Sequence, residues 1–326
     1  FKISFSVLSI IVVVYTTARF LVKSIFERVF KELLFVLYLL IFMHSIITVV
    51  LQGTLVTVRL TANDPCQAQM SKALCYALRI SSSLPISAFV WIHLAITVQR
   101  IVSTLTANER IQVISARIMI GVSLVYPCVL AYFSYSTEIF EGRVPYCTGA
   151  TAGSAQTSQF SLITLFVLDV LNLVLDFGLL KYNQYKLKEH KSYDMMVTFR
   201  RRQNVYSIQQ FLPSAIFHCL CYMAQVFMMY YGRSFRGRVT DIEFNTINAY
   251  TYLMPYYCSI GPIILLILMR KGRLIRKENL KNVVVPLNDE TNDIHFSTLK
   301  HQWGSIDARP VQPTPNAPPV DSKMEL

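Results

Sequence analysis

Residues 75–100 read CYALRISSSLPISAFVWIHLAITVQR. From Cys75 to Arg100 is about seven turns at 3.6 residues per turn, so both ends point the same way, and at 1.5 Å per residue the stretch is roughly 37 Å long. That slightly exceeds the ~30 Å hydrocarbon core of a bilayer, which puts one end at each interface. One face carries Arg79, Ser82, Ile86, Phe89, His93 and Thr97. Polar side chains that face lipid are costly, so this seam is expected to look inward at other helices. Pro85 is expected to bend the helix in its outer third.

Composition extends this reading to the whole chain. The 326 residues are 53% hydrophobic and only 15% charged, with a mean hydropathy of +0.41, which excludes an ordinary soluble domain. Seven apolar segments are predicted: Ile3–Val22, Leu33–Val58, Ser71–Leu105, Ile111–Tyr135, Phe160–Tyr182, Tyr206–Tyr231 and Asn245–Met269. The first is too long for a signal peptide and no Ala-x-Ala-type site follows it. The expected fold is an all-α membrane protein, a seven-transmembrane helix bundle over residues 1–269. No internal repeat is visible among the segments.

Basic residues set the orientation. One side gathers Arg19, Lys23, Arg28 and Lys31, the ends flanked by Arg100, Arg110 and Arg117, the run from Lys181 through Arg202, and Arg270–Lys281. The other side holds fewer, among them Arg59, Lys72, Arg79, Arg143 and Arg233. The richer side is cytoplasmic, which places the N-terminus outside and the C-terminus inside. Residues 270–282, RKGRLIRKENLKN, read as a juxtamembrane basic amphipathic helix on the inner leaflet. Residues 283–326 are polar and proline-rich and read as a disordered cytoplasmic tail. The net charge of +12 sits beside apolar segments as membrane flanks do, so the lipid bilayer is the expected partner and nucleic acid is not.

Seven cysteines form no CxxC pair. Cys75 and Cys147 both fall on the oxidising outer side, where a disulfide is feasible. Cys66 competes for the pairing; the seam position at the top of its helix favours Cys75. Asp169, Asn172 and Asp176 share one face of segment 5, and an ionisable residue at that depth is a functional candidate; a structural hydrogen-bond network is the alternative. His44, His93 and His218 lie in three segments, where membrane histidines usually bond to a neighbouring helix, so no metal is assigned. No nucleophile elbow, P-loop, HExxH or paired catalytic carboxylate pattern appears. No catalytic residue, no enzyme activity and no cofactor are expected.

The seven-span layout resembles a G-protein-coupled receptor, and three stretches resemble the nematode serpentine chemoreceptors of the Sra superfamily, with its Sra, Srab, Srb and Sre classes. These are Asp64-Pro65-Cys66 followed by Cys75 and Arg79; Gln99-Arg100 within QRIVST; and Gln203-Asn204-Val205 leading through Pro213 to His218. The Sra class is the nearest. The spacing from Cys75 to Arg100 also matches that between the outer cysteine and the inner arginine of rhodopsin-like receptors, with Gln99 where an acidic residue usually stands. The resemblance implies chemosensation at the plasma membrane of sensory neurons, in their cilia, with signalling through a heterotrimeric G protein.

On that reading Gln99, Arg100, Arg200, Arg201 and Arg202 face the G protein. A small-molecule ligand is expected in the outer half of the bundle, near Arg79, Ser82, Phe89, Asp169, Tyr222, Gln225, Asn248 and Tyr252. The rival is a transporter or ligand-gated channel with the segment 5 aspartates in its pathway, and homo- or hetero-oligomers stay open.

Overall fold

The computed structural model describes residues 2–21, 26–63, 69–106, 108–136, 139, 141–144, 155–189, 195–234, 240, 243 and 252–283. Among these lie seven helices: α1 (Lys2–Thr16), α2 (Arg28–Thr61), α3 (Lys72–Leu105), α4 (Glu109–Tyr135), α5 (Ala155–Glu189), α6 (Met195–Ser234) and α7 (Met254–Val283). A π-helical turn, Thr17–Leu21, closes α1. Six of the seven are long and apolar enough to cross a membrane. The seventh, α7, has its apolar run at residues 263–269 followed at once by Arg270, Lys271 and Arg273. Residues 245–251, expected as its outer end, lie outside the described residues.

Helices are the expected answer to an apolar solvent, since every backbone polar group must bond within its own segment. Hydroxyls follow the same rule. Ser45, Thr54, Thr104 and Ser123 each donate to the carbonyl four residues back. Asn108 caps α4, its side chain accepting from the Arg110 N–H at 3.0 Å, as Asn does at helix starts.

The helices outrun the predicted segments. The apolar pattern of segment 5 stops at Tyr182, yet α5 continues to Glu189; that of segment 6 begins at Tyr206, yet α6 starts at Met195. The apolar run marks the lipid boundary only, while Lys, Glu, Gln, Arg and Met continue a helix readily into water. Residues 270–282 are helical, within the span of α7. Phe1–Lys271 is one compact unit and Gly272–Leu326 a second. Residues 284–326 lie outside the described residues, as do Cys66, Cys147 and Asn248.

The core of the first unit centres on α3. Phe89, Val90, Ile92, Ala95 and Ile96 pack with Phe30, Leu33, Leu37 and Ile41 of α2, Ala215 and Tyr222 of α6, and Tyr257, Cys258 and Leu265 of α7. Opposite faces carry exposed apolar side chains: Ile111, Ile114, Ile118, Val125 and Val129 on α4, and Val167, Leu171 and Val174 on α5. Such a surface would be a liability in water; around a bundle in a bilayer it is the lipid contact.

At the outer end, two short strands, β1 (Met70–Ser71) and β2 (Arg143–Val144), pair antiparallel, Met70 opposite Val144 and Ser71 opposite Arg143. The Lys72 N–H extends the ladder to the Gly142 carbonyl at 3.0 Å. Gly142 has φ 97°, a backbone state that favours glycine. The ribbon binds the loop after α4 to the entry of α3. Helices α1 and α7 run side by side in the same direction: Lys2 lies over the Tyr252 ring, Ser9 donates to the Cys258 carbonyl at 2.7 Å, and Arg270 donates to the Tyr15 hydroxyl at 2.9 Å.

Candidate functional site

The seam of α3 is buried, and it meets other helices at three successive depths. Ser82, Phe89, His93, Thr97 and Arg100 are all in the interior, Ser82 the most accessible of them at 8%. The helix is unbroken through Pro85.

At the outer level, Ser82 Oγ and the Tyr252 hydroxyl lie 3.1 Å apart, and the same hydroxyl meets His44 Nε2 at 3.1 Å. Helices α3 and α2 are thereby joined to the residues just before α7. Arg79, one turn further out, is half-buried.

At the middle level the groups are aromatic and titratable. Phe89 packs edge-on against His44, Tyr257 and His218, with centroids 5.6–6.3 Å apart. His93 Nε2 is 3.0 Å from the Tyr257 hydroxyl. His218 Nδ1 is 3.1 and 3.2 Å from the two oxygens of Asp169. The His93 and His218 rings stack with centroids 4.4 Å apart, and Tyr222 lies beside His218 at 5.9 Å. Gly261 makes room for Tyr257: a Cβ there would stand 3.0 Å from the ring.

At the inner level, Thr97 donates to Asp176 Oδ1 at 2.8 Å. Arg100 is 1% exposed. Its Nη1 donates to Asn204 Oδ1 at 2.9 Å, its Nη2 is 3.7 Å from Glu27, and its guanidinium lies over the Phe30 ring at 4.2 Å. Asn204 also accepts from Ser103 at 3.1 Å and donates to Thr104 at 3.2 Å. Asn183 of α5 donates to the same Thr104 hydroxyl, so α3, α5 and α6 are tied at this end.

The structure thus brings Ser82, Phe89, Asp169, Tyr222 and Tyr252 into one continuous core. Gln225 is buried about two turns outward of His218. Gln99 is fully buried, and neither amide atom has a hydrogen-bond partner among the described residues. Arg200, Arg201 and Arg202 sit in the inner turns of α6, half-buried or exposed. Cys75 is disulfide-bonded; its partner lies outside the described residues, as Cys66 and Cys147 do. Two residues of the inner site were missed as site residues. Asn204 stood in plain view beside Gln203 in a motif already quoted. Glu27 precedes α2 in a basic stretch, and no spacing rule links it to Arg100.

An apolar cavity of about 360 Å³ opens between the outer halves of α5 and α6. Leu162, Phe166, Met223, Val226, Phe227 and Tyr230 line it. It adjoins Gln225 in sequence but includes none of the expected ligand residues.

Comparison with known proteins agrees with this architecture. A C. elegans protein named "Serpentine receptor class beta-17" is 19% identical over 310 residues, covering 93% of this chain and 85% of its own length. The family described as "Serpentine type 7TM GPCR chemoreceptor Sra", a receptor family rather than an enzyme class, matches residues 1–303. A membrane-spanning helical bundle with a match of that extent belongs to the Sra family of serpentine seven-transmembrane chemoreceptors.

Proposed function

We propose that this chain is a chemosensory receptor that binds a small-molecule cue in the outer half of its bundle and activates a heterotrimeric G protein from its inner end, at the plasma membrane of sensory cilia. One observation carries the reading. A single face of α3 makes the outer contact through Ser82 and Tyr252 and the inner contact through Arg100 and Asn204, with packed rings between. A cue that favours one packing of the outer groups over another shifts the population of the whole bundle, with no covalent step.

The pocket is assigned to Arg79, Ser82, Phe89, Asp169, Tyr222, Gln225, Asn248 and Tyr252. Aromatic rings with hydroxyl, amide and charged groups among them suit a small molecule that carries polar groups of its own, and Arg79 favours an acidic one. Gln99, Arg100 and Arg200–Arg202 are assigned to the G-protein side. Cys147 is the proposed partner of Cys75, supported by the β1–β2 ribbon, whose Val144 stands opposite Met70. The channel reading gains little support: Asp169 and Asp176 each have a partner on a neighbouring helix.

The test is expression in cells with a panel of volatile and water-soluble compounds and a G-protein readout. A response that requires guanine nucleotide is expected. A ligand-gated current that persists without it would assign the chain to a channel.

A further inference from the structure

We propose that His93, Asp169 and His218 bind one Zn(II) ion in the middle of the bundle. The three come from α3, α5 and α6, and one ligand atom from each lies within 4.8 Å of the others. Two ligands held about 2.0–2.1 Å from one tetrahedral ion stand about 3.3 Å from each other. The His218–Asp169 separations of 3.1 and 3.2 Å already match that edge, and His93 has to approach by at most about 1.5 Å.

The state of the nitrogens supports the assignment. His93 Nε2 is occupied by the Tyr257 hydroxyl, which fixes the ring and leaves Nδ1, a buried atom without a hydrogen-bond partner. A metal-bound histidine is usually held in this way through its other nitrogen. His218 Nε2 is also without a partner, so the ring proton can reside there while Nδ1 faces the ion. Ligation satisfies His93 Nδ1, whose unpaired burial is otherwise costly, and all three residues are 2% exposed or less.

Charge points the same way. Asp169 and Asp176 are both buried in the bundle, and no lysine or arginine pairs with either among the described residues. A divalent ion supplies the missing positive charge. Two imidazoles and one carboxylate suit Zn(II), whereas Mg(II) and Ca(II) prefer oxygen alone. With three protein ligands the ion keeps one position for water.

The site shares Asp169 with the proposed pocket, but its test is independent of the receptor reading, because binding is measured with neither cue nor G protein. The full chain, with His190, His295 and His301 replaced together to remove background, is purified in lipid nanodiscs, stripped with EDTA and titrated with Zn(II). One tight site per chain is expected. Asp169→Asn and His218→Asn should weaken it at least tenfold, and His44→Asn, a buried histidine outside the cluster, should not. Co(II) added to the intact ligand set should give the d–d bands of a four-coordinate nitrogen–oxygen site, a result that no misfolded variant can obscure. No binding, wild-type affinity in the Asp169 and His218 variants, or a thiolate charge-transfer band pointing to Cys219 would overturn the proposal.

Discussion

Arg100 Nη1 donates to Asn204 Oδ1 at 2.9 Å, which fastens the inner end of α3 to the inner end of α6. The acidic neighbour expected beside such an arginine is Gln99 here, and the carboxylate comes instead from Glu27, 3.7 Å away. The guanidinium is fully enclosed, so this is an interior contact and not a flank charge at the membrane surface.

Arg100→Ala is therefore expected to leave surface expression near normal and to abolish G-protein coupling. Asn204 keeps Ser103 and Thr104 as partners, which limits the loss of stability to about 1–3 kcal/mol. Epitope accessibility and a signalling assay on the same cells decide the matter. Lost expression with normal coupling per receptor would return Arg100 to a topological role.

The outer disulfide is checked chemically. Non-reduced digests should yield a Cys75–Cys147 peptide, and removing that bond should cost about 2–4 kcal/mol. A peptide linking Cys75 to Cys66, or Cys66 to Cys147, rejects the assignment.

For the pocket, Ser82→Leu and Asp169→Asn should each raise the concentration of agonist needed for half response, with expression and maximal signal unchanged. Val226→Trp, which fills the cavity between α5 and α6, should leave potency unaltered if the cue binds among the α3 seam residues. The opposite pattern of potencies would move the site to that cavity.

Gly261→Ala tests the middle level. The added methyl meets the Tyr257 ring at 3.0 Å, and the ring must give by a few tenths of an ångström. A loss of about 1 kcal/mol is expected, similar to Tyr257→Phe. The double variant should lose less than the sum, because both changes act on the same ring. Thermal unfolding in detergent measures all three, and additive losses would show that Tyr257 and Gly261 act separately.

Much of the bundle was legible in sequence because the bilayer reduces the problem to one variable. Runs of apolar residues had to be helices, and Lys and Arg set their direction. The inward face of α3 followed from helical periodicity alone, and Ser82, Phe89, His93, Thr97 and Arg100 are indeed interior. Partners were harder. Nothing in the sequence between Thr97 and Asp176, or Arg100 and Glu27, fixes the rotation of one helix about its axis against another, and that rotation decides which side chains touch. His93 and His218 look like separate histidines in the sequence, since their meeting depends on how α3 and α6 cross. The water-side ends of α5 and α6 were underestimated for a different reason: hydropathy reports lipid, whereas the helix ends where backbone bonding stops.

Helix α6 is held to its neighbours by polar contacts at Asn204 and at His218. About 21 Å of helix separates them at 1.5 Å per residue, and about the same length runs on from His218 to Tyr231 at the outer end. If the inner fastening is released, His218 becomes the fulcrum of a lever with nearly equal arms. A rigid lever of that kind transmits a displacement of an ångström at one end as about an ångström at the other, without gain. Any larger swing of the inner end must come from bending between fulcrum and tip, and Pro213 stands in that interval, where a carbonyl already lacks its helical donor.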